Sequence, residues 1–318
     1  MNGPIYTSES KKILSEFINE IFDKDSIVVI PDLQRPYIWN PAQVILLIDS
    51  LFKKWPFGSL LCWNVKVTDN ASDFIPYRGF WEEVVRNVQD KSSKEISYNR
   101  SSNSYLMILD GQQRIQSLLL ALGGESWGFT LTDKDWKKFI EGTDESVDTR
   151  NWSSGCLYLN MQLFLAEYEK CNRRIAGIDV GKCLTWAVTD ENTGLSNKDK
   201  KQVLPITSLT DGLYLRFAKI WKTAKPVGFL EKDYEDILKD VFNEIPKEKL
   251  ADFISPLSEF MTVVADVKDS TVITRLIIKD FETSGILQRR IYNNAVVNIF
   301  ARLNTAGRAL KPQEITLA

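Results

Sequence analysis

The chain has 318 residues, 44% of them hydrophobic, with 40 basic against 42 acidic side chains, no histidine and a formal charge of −2 at pH 7. This length and apolar content suit a sizeable core in one large domain or about two smaller ones, and the near-neutral balance excludes a global basic field, so a nucleic-acid partner needs a local basic patch. Without histidine the chain itself holds no Ser-His-Asp triad, no His-ligated zinc and no HNH-type nuclease centre, which leaves carboxylates, amides, Arg, Lys or a bound metal to carry chemistry.

The four cysteines, at 62, 156, 171 and 183, form no CxxC pair and read as free thiols in a reducing compartment. Residues 1–12 are polar, and the apolar run at 44–51 is short and contains Asp49, so neither a signal peptide nor a membrane span is expected. The expected location is the cytoplasm.

In chain order, Ile13, Leu14, Phe17, Ile18 and Ile21 fall at helical spacing and predict an amphipathic helix over 10–22. Residues 26–30 are rich in β-branched side chains and predict a strand, ended by Pro31. The stretch 34–39 predicts an extended loop in which Pro36 keeps Arg35 out of the helical region. An arginine on so stiff a segment suits a bidentate phosphate contact; taken alone, it equally suits an arginine stacked on Tyr37 or Trp39 or paired with a carboxylate. Asn40-Pro41 reads as an N-cap followed by proline at the first helical position. A helix over 42–54, a turn at 55–58 and a strand over 59–65 follow. Residues 66–103 read as an insertion with a short helix at 80–88. The polar stretch from 89 to 104, with Lys91, Lys94 and Arg100, reads as a solvated loop, a DNA contact there being the less favoured reading.

The apolar run 105–109 predicts a buried strand, broken by Asp110-Gly111. From Gln112 onward Ile115, Leu118, Leu119 and Leu122 fit one face of a helix that Gly123-Gly124 stops. A short helix at 133–140, a polar stretch at 141–154, a strand at 155–160 and a helix at 163–171 come next. Glu167-Tyr-Glu-Lys170 reads as an ordinary charged helix face. Within the ambiguous stretch 172–202, Gly177-Ile-Asp-Val-Gly181 lacks the Lys-Ser/Thr of a Walker loop and reads as a loop or hairpin. Pro205 marks a shift toward helical patterning, at 211–222, 231–242, 247–260 and 284–303, with short strands at 261–265 and 272–278. A last helix begins at Lys311-Pro312 and stops at Ala318 after barely a turn, so we expect the chain to continue in a longer protein.

The strand-to-helix turn at 110–114 carries the clearest chemistry. A helix start offers backbone N–H groups without intrahelical partners and the positive end of the helix dipole, which together favour anions such as phosphate. Gly111 permits close backbone approach, Arg114 adds a charged fork, and Asp110 suits a hydrated metal ion or a water. The alternative on spacing alone is that Asp110 merely caps the helix, with Gln113 and Arg114 on a solvated first turn.

Asp110-Gly-Gln-Gln-Arg114 resembles the signature of the GmrSD-type restriction and phage-defence family. Two further stretches agree with it. Ile30-Pro-Asp-Leu-Gln-Arg-Pro-Tyr-Ile-Trp39 resembles the family's Pro-x-x-Gln-Arg-x-Tyr-x-Trp segment, and Phe300-Ala-Arg-Leu-Asn-Thr-Ala-Gly-Arg-Ala-Leu310 its Phe-x-Arg-Leu-Asn-x-x-Gly-x-x-Leu segment. The three matches stand in family order and bracket nearly the whole chain, although Leu33 occupies a position where the family often has tyrosine.

The resemblance implies an α/β fold: a ParB/sulfiredoxin-like core in residues 1–204, then a mostly helical part in 205–318 that packs over the site and continues into a further C-terminal domain. It implies an NTP-binding and NTP-hydrolysing, DNA-sensing module of a system directed at modified or foreign DNA, with the nuclease in an HNH-type domain that is C-terminal or on a separate partner. In that reading Asp110, Gln113 and Arg114 are catalytic. Asp110 holds Mg²⁺ directly or through water, and Gln113 positions the attacking water. Gln34, Arg35, Gly111, Gln112, Arg302 and Asn304 bind the nucleotide. By themselves Arg302 reads equally as half of an ion pair and Asn304 as a helix C-cap. Two other functions stay open: a module that binds modified DNA or a nucleotide switch without turnover, and a metal-dependent nuclease acting directly through carboxylates, for which no Asp…Glu-x-Lys core is recognisable.

Overall fold

In the computed structural model of the chain, the described residues are 7–22, 26–31, 39, 41–66, 77–80, 104–122, 129–130, 153–154, 156–187, 214–226, 250–278, 296 and 298–299. They form an α/β fold. Its strands are β1 (Thr7–Ile13), β2 (Val28–Pro31), β3 (Ser59–Lys66), β4 (Tyr77–Gly79), β5 (Ser104–Asp110), β6 (Phe129–Thr130), β7 (Ser153–Ser154), β8 (Cys156–Asn160), β9 (Leu184–Ala187), β10 (Tyr214–Arg216) and β11 (Val272–Ile278). Its helices are α1 (Leu14–Phe22), α2 (Pro41–Phe52), α3 (Gln112–Leu122), α4 (Met161–Lys170), α5 (Val180–Cys183), α6 (Phe217–Thr223) and α7 (Leu250–Ser270).

The main sheet has six strands in the order β1-β11-β3-β5-β2-β4, and a smaller one runs β10-β8-β9. In the main sheet β5 is parallel to β2 and antiparallel to β3. The carboxyl ends of β2 and β5 and the start of β3 therefore share one end of the sheet. β11 runs parallel to β3, with Thr274 opposite Ser59, and β1 is antiparallel to β11.

The apolar runs of the central strands have a simple cause: both faces are buried. On β5, Leu106 and Ile108 enter a large core with Ile30, Leu60, Cys62, Phe17 and Ile115, beneath the helices. The alternate residues Tyr105, Met107 and Leu109 enter a second core with Val29, Trp63, Val65 and Val296. A strand buried on both faces shows no polar alternation, which is why 105–109 reads as continuous in the sequence. Among the described cysteines, Cys62, Cys171 and Cys183 are unbridged, and burial pushes the Cys62 and Cys183 thiols up to about 12.

Several elements differ from their sequence reading. The helix expected over 10–22 starts at Leu14, and the preceding seven residues form β1. That strand has little apolar patterning of its own; it exists because its backbone pairs with β11, more than 250 residues away in sequence. Polar ties hold it there: Arg275 donates from Nη2 to Ser10 at 2.9 Å and from Nη1 to Glu20 at 3.3 Å, and Lys12 meets Glu20 at 2.7 Å. The strand expected at 261–265 lies inside α7, whose buried Leu257, Phe260, Met261, Val264 and Ala265 recur at helical spacing. The stretch 211–222 divides into β10 and α6. The loop or hairpin at 177–181 ends instead in α5, preceded by a 3₁₀ turn over Ile175–Gly177. By contrast, the strand expected at 272–278 is present with those bounds as β11, inside the main sheet. The helices expected at 133–140 and 231–242, most of 80–88 and of 284–303, and everything from 311 onward lie outside the described residues.

α2 is tied to α5 by one buried carboxylate. Asp49, 5% exposed, accepts from the Gly181 amide at 3.0 Å and from Lys53 at 2.5 Å. Lys53 reaches on to Asp179 at 3.6 Å, which Lys182 meets at 3.1 Å. The hydrogen bond from Lys182, with help from Lys53 and against the effect of burial, holds the Asp179 carboxyl below its ordinary range. A carboxylate depressed in the fold contributes stability above its unfolded value, about 3.9, and loses it as pH falls through the folded value. Asp179→Asn should therefore lower Tm at neutral pH and converge on the parent as the pH drops below about 4; a Tm gap unchanged at strongly acid pH would contradict this role. Asp49→Ala, which strands the half-buried Gly181 amide and leaves Lys53 without its nearest carboxylate, should cost about 1–3 kcal/mol in urea unfolding.

Candidate functional site

The turn between β5 and α3 lies at the sheet end where β2 and β5 finish, the end at which open α/β sheets take ligands. The register between β3 and β5 shifts just there: Cys62 faces Ile108 but Leu61 faces Asp110, so an extra β5 residue bends the strand immediately before Asp110. Asp110 emerges with its side chain 60% exposed. The Gly111 carbonyl accepts the first helical hydrogen bond, from the Ile115 amide at 3.2 Å, which makes Gly111 the N-cap residue. A glycine N-cap brings no side-chain acceptor to the amides of the first turn. The reading of Asp110 as a cap over a solvated turn thus gives way to a glycine cap over a buried one, with Gln112 and Gln113 each 8% exposed.

Arg114 explains why the turn has this shape. Its Nη1 donates to the Phe57 carbonyl at 2.6 Å and its Nη2 to the Ser59 carbonyl at 2.9 Å, so the guanidinium bridges the turn that leads into β3. It lies 5.3 Å from the centre of the Phe57 ring and 3.6 Å from Asp110. Burial lowers its pKa, and the Asp110 charge offsets part of that effect. Both flanking glycines are shaped by this seat. Gly58 has φ +87°, and a Cβ there would collide with Nη1 of Arg114. Gly111 has φ +96°, and a Cβ there would collide with Leu60 and lie 3.0 Å from Nη2 of Arg114. The freedom that the sequence suggested for approach to a ligand is thus already used for approach to Leu60 and Arg114.

The helix behind the turn is enclosed all round. Ile115, Leu118, Leu119 and Leu122 are buried as the periodicity predicts, but so are Gln112, Gln113, Gln116 and Ser117 on the polar face. Ser117 Oγ donates to the Gln113 carbonyl at 2.7 Å, whereas Gln116 Oε1 is buried with no hydrogen-bond partner.

The structure therefore brings Asp110, Gly111, Gln112, Gln113 and Arg114 together at one helix start. Gln34 and Arg35 follow the end of β2, and they, like Arg302 and Asn304, lie outside the described residues. The sequence reading missed Phe57 and Ser59 as the acceptors that seat Arg114, a contact between residues more than 50 apart. It also missed Gln116, whose signal was available: Gln112, Gln113, Gln116 and Ser117 repeat at helical spacing on one side of an otherwise apolar helix. Among the described residues no three His, Cys, Asp or Glu side chains gather as a metal site, and no helix is long and apolar enough to cross a membrane.

A family model described as "GmrSD restriction endonuclease, N-terminal domain" matches residues 18–318. The chain is also similar to an uncharacterised protein of Methanocaldococcus jannaschii, MJ0686, with 21% identity over 315 residues, covering 98% of this chain and 42% of that protein. The chain thus spans less than half the length of this relative.

The seat of Arg114 makes a direct prediction. A lysine cannot satisfy both turn carbonyls with one fork, so Arg114→Lys should destabilise the protein by about 1–3 kcal/mol. Gly58→Ala, forced to a positive φ against the guanidinium, should cost a similar amount, about 1–3 kcal/mol. Because both act on one contact, the double variant measured by urea unfolding should fall short of the sum; strict additivity would show that the two residues act independently.

Proposed function

The chain belongs to the family of GmrSD restriction endonuclease N-terminal domains, and from that premise we propose that it is the NTP-binding and NTP-hydrolysing, DNA-sensing module of a restriction system that acts on modified or foreign DNA. The observation that carries the reading is the start of α3: a glycine-capped, buried first turn beside one exposed carboxylate. Its amides and the helix dipole suit a phosphate chain.

In this reading the amides of Gly111 and Gln112 hold the phosphates, and Arg35 shares that role. Arg114 commits one N–H of each terminal nitrogen to the turn before β3, so its contribution is charge and a fixed turn, not a free fork. Arg302 and Asn304 complete the nucleotide site. Gln113 orients the attacking water by its carboxamide. Asp110 is an exposed carboxylate that, among the described residues, belongs to no three-residue metal cluster, a donor that fits a hydrated Mg²⁺ arriving on the triphosphate. When bound, that ion neutralises phosphate charge. Cleavage of DNA falls to an HNH-type partner or a further domain of a longer protein.

Binding without turnover is the second reading. It is favoured by the seat of Arg114, whose terminal nitrogens are committed to the Phe57 and Ser59 carbonyls and so offer no free fork to charge developing in a reaction. In that case bound nucleotide acts as a switch, or the pocket reads a DNA modification.

Phosphate release from the four NTPs with Mg²⁺, with and without phage or modified DNA, separates the two. Folded Asp110→Ala is expected to lose about 10²-fold or more in turnover. Parental turnover in that variant would remove Asp110 from the reaction, and nucleotide binding with no turnover in the parent would establish the switch.

A further inference from the structure

The buried polar face of α3 contains an acceptor that the fold leaves unused. Gln116 is 2% exposed and its Oε1 has no donor. An unpaired buried carbonyl is destabilising, and a methionine of the same length would fill the space without that cost. One turn earlier stands Gln112, the first residue of the helix. Side chains at i and i+4 are neighbours on a helix and lean toward its N-terminus, which directs the Gln116 carboxamide toward Gln112 and the phosphate-favouring start of α3.

We infer that Gln116 is a positioning residue: its Oε1 accepts one N–H of the Gln112 carboxamide, so that the other N–H faces an anionic oxygen of the ligand. This deepens the phosphate reading above and rests on it. A carboxamide has an acceptor end and a donor end with two N–H groups. Beside a phosphate the carbonyl end repels and the amide end attracts. An acceptor beneath Gln112 selects the attractive orientation, and ligand binding gives Gln116 the partner it lacks in the free protein.

The test is calorimetric titration of the full chain with the Mg²⁺ complexes of ATP, GTP, CTP and UTP and with inorganic pyrophosphate, alongside Tm. Gln116→Met should keep or raise Tm while weakening the phosphate ligands by about five- to tenfold, the worth of one hydrogen bond. Gln112→Met should show a loss of similar size, and the double variant little more than either alone. Unchanged affinity in Gln116→Met overturns the pairing, as does a loss that tracks a lowered Tm and adds to that of Gln112→Met. A parent protein that binds none of these ligands removes the phosphate site and the inference with it. A parent that binds, with Gln116→Met binding equally well, removes the inference alone.

Discussion

Two hydrogen bonds from one guanidinium organise the end of this molecule that carries the candidate site. Arg114 leaves the first turn of α3 and grips the carbonyls of Phe57 and Ser59, which binds the helix start to the turn that launches β3. Because the guanidinium is planar and presents fixed parallel donors, the contact sets orientation as well as distance. Gly58 and Gly111 both adopt positive φ around it, and neither has room for a side chain. The carboxylate of Asp110 and the amides of the helix start occupy defined positions because this arginine is held from below.

The sheet supplies the rigidity that such a site needs. β5 is covered on both faces, by the core under the helices and by a second core around Trp63 and Met107, so the strand that ends in Asp110 cannot shift without opening closely packed interior on both sides. β2 runs beside it in the same direction, and the Gln34-Arg35 segment follows directly in sequence. β11, from late in the chain, lies between β1 and β3, so the platform is complete only when distant parts of the sequence have come together.

α3 is unusual in being buried around its whole circumference. A helix that served only as a packing element would carry apolar side chains on the face occupied by Gln112, Gln113, Gln116 and Ser117. Buried amides cost stability unless they are bonded. Their retention on the helix that opens at the proposed phosphate site places a polar, orientable surface where a charged ligand would use it.

The sequence by itself determined the local pieces of this protein. The strand at 105–109, the break at Asp110-Gly111, the helix behind it and the β2 and β3 strands all follow from apolar periodicity and from glycine and proline, which act over a few residues. The resemblance to the family drawn from the stretches at 30–39, 110–114 and 300–310 agrees with the family model, which matches residues 18–318. The tertiary structure alone decided what required contacts between remote positions. It made residues 7–13 a strand, through pairing with β11, and kept 261–265 helical, where one continuous face is buried. It gave the fork of Arg114 to two backbone carbonyls more than 50 residues away. The reason is physical: short-range patterning records what a residue prefers among its neighbours in sequence, whereas the partner of a buried charge or of an unpaired strand edge is fixed only when the chain closes on itself.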